Sequence, residues 1–240
     1  MLAVVGGSGL YELEGLAVDD SVIFETPFGR PSGPVVTGTL GGGEVAFISR
    51  HGADHSIVPH LVNYRANLTA LQMVGASRIL AVCTVGGISD PCVAGAIVVP
   101  DQIIDYTWGR EQTFAGEGRP VVHIDFTSPF APEWRRRVIE SLVASGASAV
   151  DGGVCAVNQG PRLETAAEVR RLAGDGCDVV GMTMMPEAAL ARELGIDYAA
   201  VCPVANKAAG LASETLDVDE MAAVLVEPME AVKAAIANLT

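Results

Sequence analysis

Short, continuous apolar runs recur along the chain, at intervals that leave room for helices between them. Seven runs predict β-strands, at 2–5, 45–49, 79–84, 97–99, 154–157, 179–181 and 198–203. Most are apolar throughout, which is typical of strands buried on both faces. Helical patterns intervene, at 62–75, 132–146, 164–174, 186–195 and 218–239. This alternation predicts a single α/β domain over residues 1–240, a sandwich of a mixed, largely buried β-sheet flanked by helices.

Composition and charge narrow the classes of protein to which the chain can belong. A chain of 240 residues, half of them apolar, can bury a large core. Its net charge of −14 disfavours nucleic-acid and membrane partners. No signal peptide and no apolar run of about 18 residues is found, so a cytoplasmic protein is predicted. The five cysteines are scattered and form no CxxC pair, which indicates buried thiols and no zinc site.

A glycine-rich turn, Gly6–Gly9, follows the first predicted strand, and ligands of α/β folds bind beyond strand ends. A dinucleotide-binding turn needs a third glycine where Glu12 stands, and a carboxylate there would repel a pyrophosphate. The turn is better interpreted as a phosphate site in which backbone amides and the Ser8 hydroxyl donate hydrogen bonds. A plain tight turn is the alternative.

Three of the four histidines lie close together after the second predicted strand, in a segment that starts with Arg50 and His51 and includes His55 and His60. A metal site is one interpretation. However, the spacing fits no single helical face, and Arg50 would repel a dication. We therefore favour Arg50 as an oxyanion clamp, with His51 donating a hydrogen bond nearby. A solvated loop is the third interpretation.

Two threonines, Thr84 and Thr183, also stand at predicted strand ends. Gly86 and Gly87 follow Thr84 and permit a close approach of backbone to a ligand. The threonine hydroxyls would complete a phosphate cradle with Ser8.

An amide and a carboxylate suggest recognition of a flat base. Asn206 follows the last predicted strand, and Glu164 lies in the segment Gln159–Thr165. A carboxylate only accepts hydrogen bonds, whereas an amide both accepts and donates. Glu164 would accept from N1–H of a 6-oxopurine, while Asn206 would accept from N7–H and donate to O6. An ordinary turn residue is the alternative interpretation of Asn206.

Taken in order, these segments resemble the trimeric purine nucleoside phosphorylase and methylthioadenosine phosphorylase family. The segments that carry the resemblance are Gly6–Gly9, Thr26–Gly29, Ser49–Gly52, Val62–Asn67, Val85–Ile88, Gly160–Thr165, Gly181–Ala188 and Asn206. The resemblance implies the nucleoside phosphorylase fold and a phosphate-dependent cleavage of purine nucleosides. It implies inorganic phosphate as co-substrate, no metal or organic cofactor, and a homotrimer, with a hexamer as the alternative.

The resemblance also implies roles for individual residues. Phosphate would be bound by Ser8, Arg50, His51, the Thr84 amide and Thr183. Met182 would lie under the ribose, and Glu164 and Asn206 would hold the base. His123 would lie near the pocket of a neighbouring subunit, with a hydrogen-bonded structural histidine as the alternative.

Two positions indicate a branch of the family. Its adenosine-type methylthio enzymes carry Asp in place of Asn206 and usually Ser or Thr in place of Glu164, so this chain resembles the 6-oxopurine branch. Val218 and Met221 offer an apolar wall to a 5′-methylthio group, although both residues also suit a helix core. Together these features resemble the bacterial methylthioinosine phosphorylases and predict 5′-methylthioinosine as substrate.

Several functions stay open at this stage. Within the same chemistry, the substrate is alternatively methylthioadenosine, inosine or guanosine. A hydrolytic nucleosidase and a non-catalytic nucleoside-binding protein are the alternatives from other classes.

Overall fold

The chain forms a twelve-stranded β-sheet with helices packed on both faces. The computed structural model describes residues 1–116, 118–212 and 218–240, with the backbone alone at 218–220. The strands are β1 Leu2–Gly6, β2 Ala17–Val22, β3 Val35–Leu40, β4 Gly43–Ser49, β5 Arg78–Val82, β6 Val85–Gly87, β7 Ile97–Val99, β8 Gln102–Asp105, β9 Ala149–Asp151, β10 Val154–Val157, β11 Val179–Gly181 and β12 Asp197–Lys207. The helices are α1 Tyr64–Met73, α2 Pro132–Ala144, α3 Ala166–Gly174, α4 Met184–Glu193, α5 Val218–Val224 and α6 Val226–Asn238, with a 3₁₀ turn at Pro59–Leu61.

The sheet is mixed: strands β2, β3 and β4 at one edge are antiparallel, and a further change of strand direction lies between β6 and β11. Its main path runs β2-β3-β4-β1-β5-β12-β6-β11-β10-β8. β4, β1, β5, β12 and β6 are parallel to one another. β11 is antiparallel to β6, while β10 and β8 run parallel to β11. The predicted α/β sandwich is confirmed. Because β11 is antiparallel to β6, the carboxyl end of β11 lies beside the start of β6, close to the residues that follow β5.

Both faces of the central strands are buried, which explains their unbroken apolar sequences. In β1, Ala3 and Val5 pack into one core with α1 and α4, while Leu2 and Val4 pack into a second core with α2 and α6. Side chains alternate between the two faces of a strand, so a strand covered on both sides has no polar position. The helices therefore hold the strand ends, and the residues that follow them, in fixed positions.

Four helices end in the same way, and each leads quickly into a strand. At the end of α1, Gly75 adopts a positive φ of 87°, and the amide of Ala76 donates to the carbonyl of Leu71 at 3.1 Å. This six-to-one bond defines a Schellman cap, which glycine permits because it has no Cβ. Equivalent bonds close α2, α3 and α4, from Ala147 to Leu142, Cys177 to Leu172 and Ile196 to Ala191.

The structure also differs from the sequence-based prediction in places. The helix predicted at 218–239 is two helices, α5 and α6, which break at Leu225. Pro228 has no amide hydrogen to donate to the carbonyl of Val224, so the hydrogen-bond ladder is interrupted there. β2, β3, β6, β8 and β9 were not predicted. β2 is almost wholly exposed and lacks an apolar pattern, while β6 and β9 have only three residues each.

The predictions about cysteines, membrane helices, location and domain number stand as follows. All five cysteines lie in the described part of the chain, and they are buried and free. Within that same part, no helix has both the length and the apolar character needed to cross a membrane. The cytoplasmic location and the single domain over 1–240 stay predictions.

Candidate active site

A pocket of about 510 Å³ lies where β6 and β11 meet. The loops after β1, β4 and β5 reach it from one direction, and the loop after β11 reaches it from the other. Nine of the eleven residues that were given site roles from the sequence line it: Ser8, Arg50, His51, Thr84, Glu164, Met182, Thr183, Asn206 and Met221. The mixed sheet thus gathers segments that are far apart in the chain around one cavity.

The Arg50 side chain is fully buried at one end of this pocket and bound to Glu187. Its Nε and Nη2 donate to the two carboxylate oxygens at 2.7 and 2.8 Å, and Nη1 donates to the carbonyl of Val82 at 3.0 Å. Tyr198 also donates to Glu187, at 2.9 Å. Burial lowers the pKa of Arg50, but the Glu187 carboxylate more than offsets this, and the net shift is upward. These three bonds use three of the five guanidinium N–H groups, which leaves two for a ligand.

The charge of Arg50 is therefore largely neutralised inside the protein. Among the described residues that line the pocket, the arginine, lysine, aspartate and glutamate side chains number two, Arg50 and Glu164. An anion at this end would be held by hydrogen-bond geometry more than by excess positive charge. The pocket is therefore not strongly basic, although the whole chain carries a net charge of −14.

His51 is held in one orientation by the backbone. Its Nδ1 lies 2.7 Å from the carbonyl of Ile57, so Nδ1 carries the proton and donates. Burial, followed by the nearby Arg50 charge, lowers the pKa of His51 to about 4. In the neutral ring Nε2 is then an acceptor. The donation by His51 expected from the sequence would require the imidazolium form.

Small residues and hydroxyls complete this end of the pocket. A Cβ on Gly7 would lie 2.4 Å from the carbonyl oxygen of Val82 and 3.0 Å from Arg50 Nη1, so glycine is needed where the turn approaches the end of β5. The Thr84 hydroxyl donates to the carbonyl of Ser8 at 3.1 Å and joins the loops after β1 and β5. The hydroxyl of Thr183, which precedes α4, lies 3.5 Å from the sulfur of Cys83.

At the opposite end, Glu164 and Asn206 each make one internal hydrogen bond. Asn158 Nδ2 donates to Glu164 Oε1 at 2.9 Å, and Asn206 Nδ2 donates to the carbonyl of Lys207 at 2.6 Å. The pairing of β12 with β6 shifts register between Val204 and Asn206, and such irregularities redirect side chains. Glu164 Oε2 and Asn206 Oδ1 accept no hydrogen bond from the described residues, so both are available to a ligand.

Met182 lies on the pocket wall against Gly160. A Cβ on Gly160 would lie 2.5 Å from Met182 Sδ, and Gly160 also has a positive φ of 64°. Met221, on α5, lines the same pocket. The side chain of Val218 lies outside the described residues. His123 is exposed and is not among the residues that line the pocket.

Three residues that hold the site together were missed in the sequence. Glu187 carried a signal, because a lone acid in the apolar run Met184–Ala191 needs a buried partner. Asn158 carried the same signal as Asn206, because it directly follows a predicted strand, but Arg110 carried none, since an arginine in a polar segment looks like a surface position. Arg110 is only 9% exposed, and it donates to the carbonyls of Met182 and Gln159 at 2.7 and 2.8 Å.

Comparisons with known proteins agree with this geometry. A family model described as the phosphorylase superfamily matches residues 1–239. The chain is 53% identical over 210 residues to the probable S-methyl-5′-thioinosine phosphorylase of Xanthomonas campestris pv. campestris, which covers 87% of this chain and 84% of that protein. It is 48% identical over 238 residues to the protein of the same name from Pseudomonas syringae pv. tomato, covering 99% and 97%. The solved methylthioadenosine phosphorylase from Schistosoma mansoni, in complex with adenine, superposes with a TM-score of 0.95 at 30% identity, covering 99% of this chain and 89% of that one.

Proposed function

The chain belongs to the phosphorylase superfamily, and from that membership we propose that it is a purine nucleoside phosphorylase, a pentosyltransferase of purine and methylthio salvage. Its substrate is S-methyl-5′-thioinosine, and its products are hypoxanthine and 5-methylthioribose 1-phosphate. One observation carries the proposal: a single pocket holds a hydroxyl-rich, arginine-containing end and an end with an amide and a carboxylate. The first end suits phosphate, and the second suits a 6-oxopurine.

At the phosphate end, the residues hold the nucleophile and place it against the sugar. Arg50 offers its two remaining N–H groups, while the hydroxyls of Ser8 and Thr183 and the amide of Thr84 supply further donors. Neutral His51 accepts at Nε2, which suits the hydroxyl of hydrogen phosphate. A phosphate oxygen forms the new bond at C1′ as the C1′–N9 bond breaks. Because positive charge builds on the sugar during this step, the adjacent phosphate stabilises it and attacks at short range.

At the base end, the purine leaves with the electron pair of the broken bond and gains a proton at N7, which balances the proton that hydrogen phosphate gives up, with solvent as the carrier. Asn206 Oδ1 accepts from that N7–H. One Asn206 amide hydrogen is bound to the carbonyl of Lys207, and the second donates to O6. Glu164 Oε2 accepts from N1–H, while Asn158 holds the other carboxylate oxygen. A 6-aminopurine presents donors to the Asn206 donor, and each buried mismatch costs roughly 1–3 kcal/mol.

The 5′ group is recognised by apolar contact. Met221 lines the pocket, and an apolar wall favours methylthio over hydroxyl by roughly 1–3 kcal/mol. Methylthioadenosine is the second candidate substrate, favoured by the structural similarity to the Schistosoma mansoni enzyme. Inosine and guanosine follow, because Glu164 can also accept from a 2-amino group.

We extend the proposal to partners and location. The enzyme uses inorganic phosphate as co-substrate and needs no metal or organic cofactor. It works as a homotrimer, or as a hexamer, in which the exposed His123 of one subunit approaches the pocket of the next. It acts in the cytoplasm and has no nucleic-acid or membrane partner.

The test is base release from methylthioinosine, methylthioadenosine, inosine and adenosine, each with and without phosphate. We expect phosphate-dependent release that is fastest from methylthioinosine. If methylthioadenosine is preferred, the phosphorylase stands but the base recognition by Asn206 and Glu164 is wrong. Release that ignores phosphate would indicate a hydrolytic nucleosidase. Binding without any release would indicate a non-catalytic nucleoside-binding protein.

A further inference from the structure

Arg110 connects two segments of the pocket wall through their main-chain oxygens. Its side chain enters the protein from the segment between β8 and α2 and is 9% exposed. Nη1 donates to the carbonyls of Met182 and Met185 at 2.7 and 2.6 Å. Nη2 donates to the carbonyls of Gln159 and Asn158 at 2.8 and 3.3 Å. One guanidinium therefore binds the chain just after β10 and just after β11.

The remaining contacts of Arg110 saturate its donors. Nε donates to Gln159 Oε1 at 3.2 Å, and Nη1 also lies 3.4 Å from the Tyr64 hydroxyl. No carboxylate of the described residues lies within ion-pair distance of this guanidinium. A buried charge without an ionic partner is costly. The carbonyl oxygens must therefore be positioned to accept hydrogen bonds from every N–H group of the guanidinium. Lysine could replace it only in part, since it has three donors and no planar fork.

Each of the two connected segments carries a ligand-facing part of the site. After β10, the Asn158 side chain donates to Glu164, which lines the base end. After β11, Met182 lines the pocket wall. The phosphate end is tied elsewhere, because Arg50 is held by Glu187 and Val82. The Met182 carbonyl that Arg110 binds precedes Thr183, but Arg110 makes no described hydrogen bond to a side chain of the phosphate cradle, and Arg50 keeps its own partners without it.

We propose that Arg110 is a positioning residue that fixes the distance between the base-reading Glu164 and the Met182 wall, and so sets nucleoside affinity and base selectivity. The inference rests on the proposed phosphorylase function. It predicts that substitution of Arg110 affects the nucleoside and the phosphate unequally. Binding and discrimination of the nucleoside fail, while the use of phosphate is retained.

Arg135 provides a matched control for a merely structural role. Its guanidinium also donates to two main-chain carbonyls, those of Val99 at 2.8 Å and Pro100 at 3.0 Å, and it pairs with Asp151. It is 16% exposed and does not line the pocket. Loss of Arg135 removes a comparable set of bonds at a distance from the site.

The experiment compares Arg110→Met, Arg110→Lys and Arg135→Met with the wild-type enzyme. The measurements are Tm, the KM for nucleoside, the KM for phosphate, and the ratio of kcat/KM for methylthioinosine over methylthioadenosine. We expect Arg110→Met to raise the nucleoside KM at least about tenfold and to lower the ratio at least about fivefold, with the phosphate KM within about twofold. Arg110→Lys should show the same pattern more weakly. Arg135→Met should lower Tm with both the nucleoside KM and the ratio unchanged.

Other outcomes would overturn the inference. If Arg110→Met and Arg135→Met both lower Tm and leave the nucleoside KM and the ratio intact, Arg110 is structural only. If Arg110→Met raises the nucleoside KM and the phosphate KM equally, Arg110 is likewise structural only. If Arg110→Met fails to fold, Arg110→Lys decides by the same measurements. A wild-type enzyme without phosphate-dependent cleavage would instead reject the proposed function itself.

Discussion

The two ends of the pocket differ in how firmly the protein holds their side chains. At the phosphate end, the Arg50 side chain is completely buried, bound by three hydrogen bonds and paired with an equally buried Glu187. At the base end, Glu164 and Asn206 are partly exposed, and each makes one hydrogen bond within the protein. The protein thus stabilises one end by its own core and leaves the other end to be completed by the ligand.

Because of this difference, the phosphate end and the base end can evolve separately, the first serving phosphorolysis and the second serving base selectivity. A group locked in the core cannot be exchanged without loss of folding, so the phosphate end can only vary together with the core. Glu164 and Asn206 can change with little effect on the fold, because few contacts depend on them. Substrate choice can therefore diverge at the base end while phosphorolysis is retained. Four predictions test this comparison, from the largest expected effect to the smallest.

Arg50→Ala should have the largest effect, on both stability and phosphate use. It leaves the Glu187 carboxylate buried without its partner, and breaking a buried ion pair costs about 3–5 kcal/mol. The free energy of unfolding from urea titration should fall by that amount, and the phosphate KM should rise strongly. The exposed pair Arg162–Glu168 is the control, because its loss should cost less than about 1 kcal/mol. Equal effects for the two arginines would contradict the comparison.

His51 should make the fold sensitive to acid. Its pKa is about 4 in the folded chain and 6.5 without its environment, so the unfolded chain binds the proton first as pH falls. The stability contributed by neutral His51 is therefore complete above pH 6.5 and is lost as pH falls toward 4. At 1.36 kcal/mol per pH unit this amounts to about 3 kcal/mol. The free energies of unfolding of the wild type and His51→Gln, from urea titrations at each pH, should diverge between pH 6.5 and 4. If the two depend on pH in the same way, His51 does not cause the sensitivity to acid.

Asn206→Asp should change selectivity with little effect on stability. A carboxylate oxygen would accept from a 6-amino group but would oppose O6. At roughly 1–3 kcal/mol for a mismatched contact, the preference for methylthioinosine over methylthioadenosine should fall by about 5- to 150-fold. Asn238→Asp, on the exposed side of α6, is the control for the added charge. An unchanged preference would show that Asn206 does not recognise the C6 substituent.

Met221→Ser should have the smallest effect, confined to the 5′ group. Loss of apolar contact should reduce the preference for methylthioinosine over inosine by about fivefold, or about 1 kcal/mol. The ratio of methylthioinosine to methylthioadenosine should stay the same, because the base end is unaltered. Met73→Ser, at an exposed position, controls for general effects of the substitution. A loss shared by both ratios would mean that Met221 supports the whole pocket.

Sequence reasoning was most successful where burial dictates the residue types. Strands β7, β10 and β11 were predicted at their observed bounds, because coverage on both faces leaves an unbroken apolar run. The exposed strand β2 has no such pattern, since its environment is mainly solvent. Nine site residues reach one pocket because strand ends converge, which is a property of the fold class.

The supporting residues could not be predicted in the same way. The partners of Arg50 and Arg110 are set by three-dimensional contact between distant segments, and Arg110 binds carbonyls, which every residue has. A main-chain carbonyl that will bind an arginine cannot be recognised from its residue type. The role of Asn158 is likewise visible only once Glu164 is placed beside it. The roles of Met182 and His123 came from the family resemblance, and the roles of all the site residues stay predictions.

The pairing of Arg50 with Glu187 has a consequence for the time course of folding. The two residues are 137 positions apart, and the Thr183–Cys83 contact spans 100. Contacts between such distant segments form late, because the entropy of closing a long loop must be overcome first. A chain emerging from the ribosome cannot assemble its phosphate end until residue 187 has been synthesised. Recovery of phosphate-dependent activity after dilution from urea should therefore lag behind recovery of helical signal, and it would report the last step of folding.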